Sequence, residues 1–250
     1  MGNRFGFVCL ANSRKAGGRC VAGKAFKKSS RRWVWVRPVN QYNKLPVENS
    51  LLNTGNEPKI CDWIHLDWLE KHSGLAYQPE NFLFQSKKWQ WKGVVKENYL
   101  NQLTDRPETL WDNISSTRAG INDKVTLEKA NGYNHSLYFI KAEDVVFHGI
   151  QNSFDPYNLK KKVEFTYNDS RYKLSLTDPY ENQITQIQSF EVQKDFNVYL
   201  TISLGEPFNE EAYKLVAGVV FVKEIDDKTL FTIGHSTHEI DHFISLLKKI

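Results

Sequence analysis

The 250-residue sequence has one Met, eight Pro and three Cys, and no Asp or Glu before position 48. Cys9, Cys20 and Cys61 are odd in number and form no C-x-x-C pair, which argues against a disulfide framework or a zinc finger. They are expected to be buried thiols acting as small hydrophobes; the alternative is a metal or redox site closed by a distant His. Long apolar runs are missing too. The longest, Leu215 to Val222, is interrupted by Gly218, whereas a membrane helix needs about 20 residues. Phe5 to Ala11 is too short and wrongly flanked for a signal peptide. Gly6 stands where a myristoylation signal requires Ser or Thr. The expected location is cytoplasmic, with no membrane contact.

What is present is aromatic and unevenly charged. Seven Trp, eleven Tyr and fifteen Phe predict stiff cores of the kind strands build. The acid-free opening carries eleven bases, leaving 22 bases against 29 acids in the rest, a balance of −7. A +11 segment joined to a −7 body predicts a polyanion partner, since bound phosphates relieve the self-repulsion and release counterions. A basic loop that merely stays solvated is the plainer alternative.

Aromatic residues are interleaved with these bases. Phe26 lies among lysines, and Trp33 and Trp35 follow Arg31 and Arg32 directly. Cations that hold phosphates next to rings that stack bases are what a single-strand binder requires. The candidate phosphate contacts are Arg14, Lys15, Arg19, Lys24, Lys27 and Lys28, continuing with Arg31, Arg32 and Arg37. Asn12, Ser13 and Gly18 join them, in a polar stretch from Ala11 to Arg19 read as a glycine-bearing loop whose amides can face an anion. Trp33 and Trp35 are the candidate stacking platforms. Strand alternation puts both Trp and Arg37 on one face and Val34 and Val36 on the other, and leaves open which face is the core. The stretch lacks the Gly-Lys-Ser/Thr ending of a P-loop, so nucleoside triphosphate binding is excluded, and no cofactor is expected.

The periodicity predicts a mainly β protein. Phe5–Leu10, a strand from Cys20, Trp33–Val36 halted by Pro38, and Ile60–Leu66 are expected strands of the first half. Gln78-Pro79-Glu80-Asn81-Phe82 reads as a turn into a buried segment. Val94–Asn113 is expected to be a connector helix, broken in two at Pro107. Val125–Leu127, Leu137–Ile140, Val163–Tyr167, Tyr172–Leu176, Phe196–Leu204 and Leu215–Val222 are expected strands of the second half. Asp155-Pro156-Tyr157 and Asp178-Pro179-Tyr180 are similar turns. The expected organisation is one small barrel with its connector over 1–115, a second over 116–225, and a strand–helix fragment over 226–250.

That fragment has a different texture. Leu230–Gly234 reads as a strand, and Ser236-Thr237-His238-Glu239 as a capping box opening a helix with an apolar stripe. The Gly-His-Ser turn at the helix start is a possible anion site. His235, His238 and His242 invite a metal reading, but their neighbours are not ligands and no metal is expected; no carboxylate orients a Ser236–His235 pair.

Two resemblances rest on quoted segments. Val8–Lys15, Gly17–Gly23, Trp35–Val39, Glu57-Pro58-Lys59 and Gln78–Asn81 resemble the bacterial dual OB domain family. Leu174–Pro179, Leu204–Phe208 and Tyr213–Ala217 extend the likeness, over residues 5 to about 224. It implies two tandem OB-type barrels, a fold often used for single-stranded nucleic acid. Phe231–Thr237 resembles the opening of a bacterial α/β family of unknown function, of which only the first unit is present. The leading expectation is a non-catalytic module for single-stranded or distorted DNA or RNA. The alternative is a protein-interaction module docking an effector domain. An enzyme is the least favoured, because no nucleophile, base and orienting group stand together.

Overall fold

The computed structural model describes residues 3–15, 18–71, 75–84, 88–152, 155 and 157–224. The expected terminal strand and capped helix, with His235, Ser236, His238 and His242, lie outside the described residues. The first sheet contains β1 (Asn3–Lys15), β2 (Gly18–Lys27), β3 (Arg32–Val39), β4 (Asp62–Lys71), β5 (Asn81–Phe84) and β6 (Gln90–Val94). β1 pairs antiparallel with both β2 and β4, and β3 pairs parallel with β5. The order β1-β2-β3-β5-β4 therefore closes into a ring, with β6 attached outside β4. A bulge between Cys9 and Ala11 lets one long strand serve both partners.

The second sheet repeats this plan. It contains β7 (Lys124–Thr126), β8 (Leu137–Gln151), β9 (Leu159–Tyr167), β10 (Ser170–Leu176), β11 (Gln188–Glu191), β12 (Phe196–Leu204) and β13 (Glu211–Lys223). β8-β9-β10-β13-β12 closes in the same 1-2-3-5-4 order, again with one parallel pair, β10 with β13. Two such five-stranded rings in tandem are two OB-type barrels. Phe7, Val21, Ile64, Phe82 and Trp89 fill the first. Phe147, Phe165, Tyr172, Leu200 and Ile202 fill the second. Each such burial contributes about 1.5–3 kcal/mol before entropy is counted.

A third apolar cluster joins the barrels. Val8, Leu10, Cys61, Leu100 and Leu103 meet Phe139 and Tyr199 across a seam. Phe196–Leu204 was expected to alternate, yet Val198–Leu204 is buried throughout. One face of β12 fills its own barrel, while the other lies on the seam, where Thr201 Oγ1 donates to the Leu10 carbonyl at 2.5 Å. Gly218 is required there: a Cβ would stand 2.2 Å from the Leu10 oxygen.

Three local expectations are corrected. Val94–Asn113 is no helix beyond a 3-10 turn at Glu97–Tyr99 and one α turn at Leu100–Leu103. Val94 belongs to β6, and Asp105 donates its backbone N–H to Phe139; the residue before Pro107 is also pushed out of helical geometry. The stretch Ala11–Arg19 is mostly paired strand, with Ser13 opposite Cys20 and Lys15 opposite Gly18, not an open loop. Pro38 does not halt β3. By that point β3 has left β2 and pairs only with β5, so the missing N–H interrupts no second ladder.

Candidate functional site

Strand alternation places Trp33, Trp35 and Arg37 on the same side of β3, and that side is the seam. Val36 packs against the core of the first barrel, while Trp33 and Trp35 pack against the inter-barrel cluster. This resolves the alternative that the sequence left open. The valine face is the core face, and the second barrel covers much of the tryptophan face.

The basic residues divide into three groups. At the β2–β3 turn, Lys27, Lys28, Arg31 and Arg32 are all exposed. Lys27 pairs with Arg32 across the hairpin, and Arg31 takes a left-handed conformation (φ 51°) to close the turn. Among the described residues none of these four forms a salt bridge. A solvated tip leaves their charge uncancelled.

Along the strands the cations are internal. Arg37, 2 % exposed, lies 2.9 Å from Glu80 and donates to Ser136 Oγ at 3.0 Å. Ser136 in turn donates to Glu80 at 2.5 Å. Lys24, 3 % exposed, lies 2.6 Å from Asp105 and donates to the Leu103 carbonyl at 2.7 Å. Burial pushes the Lys24 ammonium below its usual pKa, and Asp105 opposes that shift. Asp105 also accepts from Trp35 Nε1 at 3.0 Å. These buried cations neutralise the chain's own carboxylates; they are not free phosphate holders.

The third group sits near the β1–β2 turn. Arg19 grips Glu57 with two bonds, at 2.7 and 2.9 Å, and this holds the Glu57 carboxyl below its ordinary range. Arg14 is half-exposed, 3.2 Å from Glu181 of the second barrel. Asn12 is buried and donates to the Pro58 carbonyl, and Ser13 is buried beside it. Gly18 packs against the Leu45 carbonyl, 2.3 Å from where a Cβ would be, so its role here is close backbone approach. The side chain of Lys15 lies outside the described residues.

Beside the exposed tip is an open cleft of about 420 Å³, lined by Trp33, Trp63, Tyr99, Val95, Lys96 and Leu103 among others. Phe26 meets Trp33 edge-on at 5.4 Å and is 46 % exposed. Tyr99 is 50 % exposed. Rings and cations thus meet at Trp33, the residue next to Arg32. Sequence reasoning missed Trp63 and Tyr99, which come from β4 and from the short turn before Leu100. It also missed Glu57, Glu80 and Asp105 as the counter-ions.

A second cavity, of about 110 Å³, opens between the barrels at the other end of the hairpin. Ser13, Arg14, Arg19 and Arg37 line it on one side, and Thr177, Leu204 and Gly205 on the other. The tip and this cavity are about 25 Å apart, the length of eight strand residues. Elsewhere, His148 bridges Ser189 at 2.7 Å and Glu164 at 3.1 Å. That trio spans three strands, and Glu164 is already taken by Lys173 at 3.3 Å and by Arg171. Among the described residues no group of three His, Cys, Asp or Glu is placed to hold a metal, and no helix is long and apolar enough to cross a membrane.

Comparison with solved structures finds matches of low similarity. A murine DNA-binding protein bound with double-stranded DNA matches at 8 % identity and a TM-score of 0.33, over 88 % of this chain and 97 % of that one. A HINa domain in complex with a 20-base-pair duplex matches at 9 % identity and 0.30, over 89 % and 97 %. No curated protein matches the sequence. A family model described as a dual OB-containing domain matches residues 6–219.

Proposed function

The chain belongs to the dual OB-containing domain family, and from that premise we propose that it is a non-catalytic binding module for single-stranded or distorted nucleic acid. The observation that carries this reading is the tip of the β2–β3 hairpin. Lys27, Lys28, Arg31 and Arg32 stand exposed there, beside a cleft lined by Trp33, Trp63 and Tyr99. Exposed cations draw the phosphate backbone in, and open rings accept the faces of unstacked bases. Duplex DNA hides its base faces, so the aromatic cleft favours single strands or opened sites. OB barrels commonly bind oligonucleotides on their second and third strands and the neighbouring loops. In this chain the second barrel covers part of that face and leaves the tip and cleft available.

The test is binding of fluorescent single-stranded and duplex oligonucleotides over a range of salt. Log affinity is expected to fall linearly with log salt. Replacing the tip (Lys27→Ser, Lys28→Ser, Arg31→Gly, Arg32→Ser) reduces the single-strand slope by up to about 3, from about 0.7 per phosphate contact. A slope unchanged by that replacement, or no salt dependence, would overturn the reading. Retention of a protein from lysate after nuclease treatment, with no oligonucleotide binding, would favour an effector-docking module on the same cleft.

A further inference from the structure

We infer that the cavity between the two barrels holds a single unpaired nucleobase, so that the tip captures the backbone and the seam reads one base. The base pocket presupposes the nucleic-acid ligand proposed above. Its walls come from both barrels and differ in kind from the tip. The three guanidinium groups already have carboxylate partners: Arg14 with Glu181 at 3.2 Å, Arg19 with Glu57 at 2.7 Å and Arg37 with Glu80 at 2.9 Å. A phosphate gains little from cations that are already neutralised, whereas an uncharged ligand needs no free cation.

Size and surface narrow the choice. The volume of about 110 Å³ suits one flat ring system and excludes a whole nucleotide chain. Pro38, Val39 and Leu45 from the first barrel face Leu204, Leu215 and Ala217 from the second, supplying apolar walls for ring faces. Carboxamide and hydroxyl groups supply an edge. Gln78, Ser13 and Thr177 are in the lining, and paired donor and acceptor groups of this type read base edges. Arg37, buried and also in the lining, has an Nε with no hydrogen-bond partner. A buried donor left unpaired is costly, and an acceptor on a base would relieve that cost. The segments that carry the family likeness also meet here. Ser13, Arg19, Arg37, Gln78, Thr177 and Gly205 each come from a different one of them.

Cys20 provides the reporter. It lies in the lining and is half-buried, whereas Cys9 and Cys61 are buried and burial pushes both thiols up, Cys61 to about 11. The full chain is treated with iodoacetamide in the presence of adenosine, guanosine, cytidine, uridine or inorganic phosphate, and Cys20 modification is followed by mass spectrometry. At ten times its Kd, one nucleoside is expected to slow modification about tenfold, with no dependence on salt. Gln78→Ala raises that Kd about tenfold, so that at the same concentration protection falls from about tenfold to about twofold. Failure of every nucleoside to protect, or equal protection by phosphate, overturns the base pocket. Oligonucleotide binding measured on the same protein separates the two claims. Salt-dependent binding with Cys20 unprotected sinks the pocket alone. Nucleoside protection without oligonucleotide binding sinks the hairpin-tip reading and leaves the pocket standing.

Discussion

At the tip of the β2–β3 hairpin, Lys27, Lys28, Arg31 and Arg32 stand in solvent; toward its base, Arg19 and Arg37 are held against Glu57 and Glu80. The residue types are the same and one hairpin carries both sets. The difference is the second barrel. Where it covers the hairpin, desolvation makes an unpaired cation very costly, and the fold supplies a carboxylate for each. Where the hairpin extends past it, water screens the charges and no partner is needed. A basic stretch therefore divides by burial into cations paired within the fold and cations left to solvent.

The sharpest way to break this contrast is Arg37→Ala. It leaves Glu80, whose side chain is 3 % exposed, without its cation, and is expected to cost about 3–5 kcal/mol in urea unfolding. A loss under about 1 kcal/mol would mean the seam ion pair is not structural. The next effect is pH-dependent. Burial raises the Asp178 carboxyl from 3.8 to about 6, even though its oxygen accepts the Tyr180 N–H at 2.7 Å. Between those values the folded state keeps a proton that the unfolded chain has released. Stability from this group therefore falls as pH rises from about 4 to about 6, by up to about 3 kcal/mol. The difference in unfolding free energy between the wild type and Asp178→Asn, followed across that window, measures it. A difference that stays flat would refute it.

The tip gives smaller numbers and a different readout. Trp33→Ala is expected to weaken single-strand binding by about 1–3 kcal/mol with the salt slope unchanged, because it removes stacking and no charge. A lowered slope would mean that the ring supports the cations and does not hold a base. The four tip replacements used in the salt titration are expected to change folding stability by less than about 0.5 kcal/mol each. A larger loss would erase the distinction between the two ends of the hairpin.

Most strands were legible because their signal is local. Val163, Phe165 and Tyr167, then Tyr172, Leu174 and Leu176, alternate in sequence and are all buried. The connector helix was not, because the leucines at 100 and 103 are held by the seam and the backbone at Asp105 is claimed by Phe139. The site was half legible. The acid-free opening located the tip, and Trp33 was picked out by its neighbours. Trp63 and Tyr99 carried no local mark, since what matters is their meeting with Trp33 across the cleft. Glu57 and Asp105 could not be matched to Arg19 and Lys24, because those pairs close over 38 and 81 residues.

By itself the sequence determined the β character of the chain, through side-chain alternation, and the crowding of positive charge at its start, which is a matter of counting. Only the tertiary structure decided which of those charges are free. Whether a cation faces water or a carboxylate depends on what packs over it, and in this protein the covering surface is the second barrel, encoded a hundred or so residues later in the chain.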